Sequence, residues 1–160
     1  MSIDLDLELT HPISLDDLLS KAGRVLVEML GLRSIPRLAV EYWEAGRCHA
    51  SPDVELRERT AGIFTISFVD EPESVQVMAG KRSVSVSMGS PRTNLQYALG
   101  AAIAIALAQE LGVPIEDDRG FFRSGSQTSA QDLLERLKVT GSWNDCRKAA
   151  EQLTGRIDTP

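Results

Sequence analysis

The sequence predicts an α+β protein with an antiparallel sheet of about four to five strands, helices packed mainly on one sheet face, and a long buried central helix at residues 91–111. Three observations predict it. Five segments alternate apolar and polar residues with period two, the mark of strands buried on one face only. Residues 97–108 run without a charge, so the helix they form has no solvent stripe and must be covered on several sides. The order of strand, helix, four strands and then helices fits an antiparallel sheet with segregated helices.

Ile3, Leu5, Leu7 and Leu9 alternate with Asp4, Asp6 and Glu8, which gives the first strand one wholly acidic face and would guard it as a sheet edge. Ser14 followed by Asp17 caps a helix whose Leu15, Leu18, Ala22, Val25, Leu26 and Met29 recur at helical spacing, and Gly31 closes it. Leu38, Val40 and Tyr42 alternate with Ala39, Glu41 and Trp43 as a second strand ending at Ala45 and Gly46. Residues 47–61, with Pro52 and a mixed-charge run, read as a loop or a short solvated helix. A third strand carries Phe64, Ile66 and Phe68, and residues 75–78 and 83–88 form a hairpin in which Gly80 takes positive φ. The last of these strands is apolar at Val84, Val86 and Met88 and polar at Ser83, Ser85 and Ser87.

For the central helix, Ser90 is the expected N-cap and Pro91 the first helical residue, while Gly112 and Pro114 end it. Gly100, Ala104 and Ala108 form a ridge of small residues on which a sheet can lie closely. The uncharged run is too short to span a bilayer, which takes roughly 20 residues. Residues 115–122 are a short acidic segment ending in two aromatics, and residues 123–129 a polar linker. Ser129 with Asp132 caps a helix carrying Leu133, Leu134 and Leu137. Ser142 with Asp145 caps another carrying Trp143, Cys146, Ala150 and Leu153. The length of 160 residues predicts one domain, with residues 125–160 a helical extension of it.

Composition narrows the function. The net charge of −6 is uneven, with 14 acids against 7 bases in residues 1–80 and 9 against 10 in residues 81–160. An acidic chain repels phosphate backbones, so the expected partner is a basic protein, with neither nucleic acid nor a membrane. Two cysteines far apart point to reduced thiols, and acids at the amino terminus do not resemble a secretory signal, so the expected location is the cytoplasm. No cofactor motif and no metal-ligand spacing occurs.

The candidate partner-binding residues are the acids and the aromatic that surface with them: Asp4, Asp6, Glu8, Glu41, Trp43, Glu44, Glu116, Asp117 and Asp118. Of Tyr42 and Trp43, one is expected in the core. Ser90, Arg92 and Thr93 at a helix amino terminus form a candidate anion site. The alternative of an enzyme would use Cys48 with His49, or the Asp117 and Asp118 pair, and a third reading is a chaperone or assembly subunit that dimerises. Adjacent residues on an extended chain point to opposite faces, which weighs against the Cys48 and His49 pair.

The alanine-rich helix, its stop at Leu111, Gly112 and Val113, and the Ile115, Glu116, Asp117 and Asp118 that follow resemble the small cytosolic immunity proteins encoded beside bacterial contact-delivered and polymorphic toxins. The resemblance covers roughly residues 83–122. It implies a non-enzymatic protein that binds and neutralises a cognate toxin by shape and charge, with no shared catalytic residues to transfer.

Overall fold

The computed structural model describes residues 2–50, 55–90, 92–123 and 125–157. The fold is α+β, with eight strands in one sheet and four helices among the described residues, in the order β1 (Ile3–Glu8), α1 (Leu15–Leu30), β2 (Leu38–Glu44), β3 (Arg47–Ala50), β4 (Ile63–Phe68), β5 (Ser74–Ala79), β6 (Ser83–Met88), α2 (Asn94–Leu111), β7 (Ile115–Glu116), β8 (Gln127–Thr128), α3 (Ala130–Leu137) and α4 (Cys146–Glu151). Every pairing is antiparallel and the strand order is β3-β2-β4-β5-β6-β1-β7-β8.

The sheet is therefore larger than the four to five strands expected from alternation. The three additional strands are short and lie at the two ends. β3 arises because Ala45 and Gly46 both take positive φ, 49° and 76°, the geometry of a two-residue hairpin turn that folds Arg47 back onto Glu44. β7 and β8 are two residues each, too brief to show a period. β1 is accordingly not an edge, although β7 covers it only at the Asp6 and Glu116 pair. Among the described residues of 55–61 there is no helix. Leu56 instead exchanges two backbone hydrogen bonds with Ile13, each 2.9 Å, and is fully buried. Pro52 and residues 53–54 lie outside the described residues.

α1 begins at the Ser14 cap, whose hydroxyl accepts from the Asp17 amide, and ends at left-handed Gly31. α2 starts later than residues 91–111 would have it: the N-cap is Thr93, whose hydroxyl accepts from the Gln96 amide, and Ser90 lies outside the helix. Pro91 falls outside the described residues. The displacement has a simple cause, since Thr93 offers the same hydroxyl nearer the buried run. α2 does end at Gly112, with φ 67°. α3 uses the Ser129 cap, whereas α4 is capped by Asp145, which accepts from the amides of Arg147 and Lys148, and not by Ser142. Gly80 turns the β5–β6 hairpin with its amide 2.7 Å from the Ser83 carbonyl, and without positive φ.

α2 lies in the middle of the molecule. It packs against β1, β5, β6 and β7 on one side and against α1, α3 and α4 on the others, and 15 of its 18 residues are buried. Gly100 meets the sheet where Met88 crosses: a β-carbon there would stand 2.4 Å from the Met88 sulfur. The buried side chains of α3 and α4 belong to the same apolar cluster as the sheet and α1. Among the described residues no helix is long and apolar enough to cross a membrane.

Candidate functional site

The face of the sheet on which α1 and α2 pack is built from Ile3, Leu5, Leu7, Val40, Tyr42, Phe64, Ile66, Val75, Val77, Val84 and Val86, all buried. The intervening residues point the other way and keep partial or full exposure, save Ser87. Register makes this second face one connected surface. Cys48, Trp43, Ile63, Met78, Ser85, Asp6, Glu116 and Gln127 are successive cross-strand partners from one end of the sheet to the other. Directly paired residues share a face, so Trp43 and Asp6 sit in one row, roughly 19 Å apart at about 4.8 Å per strand.

The acids of β1 form one end of that surface. Asp4 and Glu8 are exposed, Asp6 half-buried, and they face Ser87, Ser83 and Ser85 of β6. The Ser85 hydroxyl donates to Asp6 Oδ1, and the Ser2 hydroxyl donates to Asp4 Oδ2 at 3.1 Å. Glu116 continues the stripe and accepts from Gln127 Nε2 at 3.2 Å. At the other end Trp43 is 45% exposed and Glu41 lies on its face, while Tyr42 is buried, stacked on Phe64 at 4.8 Å between centroids. One of the two aromatics is therefore in the core, as alternation requires. Glu44 is exposed but shares the parity of Tyr42, so it sits off this face at the strand end.

Two of the remaining candidates do not surface with them. Asp117 is 1% exposed: its Oδ2 accepts from the Phe122 amide at 2.9 Å and its backbone carbonyl from the Gly120 amide, so the carboxylate closes the β7–β8 loop over Phe121 and Phe122. Asp118, next to it, is exposed. The acidic triplet thus splits three ways, with Glu116 on the sheet face, Asp117 inside and Asp118 in the turn. At the amino terminus of α2, the anion is the protein's own. The Thr93 hydroxyl donates to Glu73 Oε1 at 3.1 Å, Glu73 is buried, and Arg147 binds both its oxygens. Ser90 and Thr93 line a small pocket beside it, and an added anion would face that carboxylate. Arg92 instead interacts with Tyr97, where burial pushes the phenol up and Arg92 opposes it.

Cys48 and His49 fall on opposite faces of β3, Cys48 paired with Trp43 and His49 with Tyr42. Desolvation and then the Glu41 carboxylate push the Cys48 thiol up, which disfavours a thiolate. Among the described residues no three His, Cys, Asp or Glu side chains come together as a metal site. Sequence reasoning missed the Arg147, Glu71 and Glu73 cluster, in which the guanidinium reaches Glu71 at 2.5 Å, because no local pattern links residues so far apart.

No family model, curated protein or solved structure matches the chain.

Proposed function

We propose that this is a non-enzymatic binding protein that docks a basic protein partner on the open face of its sheet, as an immunity protein of the bacterial cytoplasm neutralising a cognate toxin. The observation that carries the reading is the cross-strand row that holds exposed Trp43 with Ile63 and Met78 at one end and Asp6 with Glu116 at the other. An exposed aromatic beside apolar neighbours is the usual anchor of a protein interface, and a flanking acidic stripe steers a basic partner and sets its orientation. The non-enzymatic part of the reading is supported by the divergent directions of Cys48 and His49 and by the inward turn of Asp117.

The test is recovery of the protein with its bound partner at low salt, identification of that partner, and affinity measurement on purified components. Reversing Asp4, Asp6 and Glu8 to lysine should weaken the complex by roughly tenfold or more, with a reduced salt dependence. Trp43→Ala should weaken it by a similar factor through loss of the anchor. Affinity unchanged by both variants would sink the assignment of this face.

A further inference from the structure

Behind the sheet face, a cleft of about 460 Å³ opens between the segment after α1, the β4–β5 turn and the start of α4. Its floor is apolar, formed by Leu32, Phe68 and Cys146, and its rim carries Asp70, Glu71 and Asp145 against the single guanidinium of Arg37. Arg37 is already engaged by Asp70, at 2.7 and 3.3 Å. Arg147, outside the cleft, is divided between Glu71 and Glu73. Glu73 lies outside the cleft, so about one carboxylate's worth of negative charge is left at the rim, on Asp145, whose Oδ1 also caps α4. Burial pushes the Cys146 thiol up, and the carboxylates of Asp145, Glu71 and Asp70 beside it push it further.

An apolar floor under an acidic rim matches a long side chain with an aliphatic stem and a cationic head. Ile35, 61% exposed, stands at the mouth, and Val69, 50% exposed, follows Phe68 in the chain with its amide donating to the Arg37 carbonyl at 2.9 Å. They extend the contact beyond what one small molecule would cover. We propose that this cleft receives an arginine or lysine side chain from a basic protein segment, with the stem on Ile35 and Phe68, the charge at Asp145 and Glu71, and the flanking residues on Ile35 and Val69. The inference rests on reading the chain as the binder of a basic protein, and it adds a second contact on a different side of the molecule.

The probe is the peptide Ac-Leu-Arg-Leu-NH₂, compared with Ac-Leu-Glu-Leu-NH₂ and with ethylguanidinium alone, titrated into the full-length protein in the millimolar range. Backbone amide NMR should show saturable shifts at Leu32, Ile35, Arg37, Asp70, Glu71 and Asn144 for the arginine peptide only. Asp145→Asn, which keeps an N-capping side chain, should weaken that binding about threefold or more at low salt. In a Cys48→Ser background, alkylation of Cys146 by iodoacetamide should slow with the arginine peptide and not with the glutamate peptide. Absence of saturable shifts at the cleft, or equal shifts from the glutamate peptide, would overturn the proposal. An equal response to ethylguanidinium would assign the cleft to small cations and also overturn it. None of these outcomes bears on the sheet face, which the Asp4, Asp6, Glu8 and Trp43 variants test separately.

Discussion

Arg147 grips both oxygens of Glu73, Nη1 to Oε1 at 2.8 Å and Nη2 to Oε2 at 2.9 Å, and so ties α4 to the start of β5 and to the amino terminus of α2. Burial alone would hinder ionisation of Glu73, but Arg147, the Glu73 amide and Thr93 outweigh it and hold the carboxyl below its ordinary range. Arg147 is itself raised by Glu73 and Glu71.

A group whose pKa is lowered by folding stabilises the native state above its unfolded pKa, and that stability is lost as pH falls through the folded value. Glu73→Gln should therefore cost about 1–3 kcal/mol at neutral pH, less than for a fully buried pair because the Arg147 side chain is 41% exposed. The difference from the parent should shrink on acidification below the normal carboxylate range. Chemical denaturation across pH measures both, and a constant difference down to strongly acid pH would refute the account.

The two left-handed helix caps separate backbone strain from collision. A β-carbon at Gly31, φ 63°, would stand 2.4 Å from the Gly141 carbonyl oxygen, while one at Gly112, φ 67°, meets nothing within 4 Å. Gly112→Ala should cost about 1–2 kcal/mol from conformation alone. Gly31→Ala should cost more, on the order of 3 kcal/mol, because the Gly31 carbonyl also accepts from Trp143 and cannot move freely. Equal losses in thermal denaturation would show that the 141–143 segment yields.

At Gly100 the obstacle is a side chain. Gly100→Ala should destabilise by about 1–3 kcal/mol by overpacking against Met88. Met88→Val in the same chain should recover part of that loss, a coupling that a double-mutant cycle detects. Additive losses would place the strain elsewhere.

Neighbouring acids should behave oppositely. Asp117→Ala removes the acceptor for the buried Phe122 amide and should cost about 1–3 kcal/mol. Asp118→Ala, at an exposed site, should stay within about 0.5 kcal/mol of the parent. Similar unfolding midpoints for the two variants would contradict the inward placement of Asp117.

Much of this molecule was legible along the chain wherever a local rule decides the outcome. The alternation of Ile3, Leu5 and Leu7 with Asp4 and Asp6 already separates a core face from an acidic one, because side chains on a strand alternate whatever lies beside it. The burial of α2 follows from its uncharged run, and the Ser14, Ser129, Gly31 and Gly112 caps from the unpaired groups that every helix end must satisfy. Tertiary structure decided what short or distant segments do. β3, β7 and β8 are too brief to carry a period and exist because neighbouring strands offer them backbone partners. Asp117 and Asp118 are indistinguishable in sequence, and only the closure of the loop over Phe121 and Phe122 turns one inward. Register likewise sets Trp43 in line with Asp6, and packing brings Arg147 to Glu73, since hydrogen bonds and charges between distant residues depend on separation in space, which the sequence order does not encode.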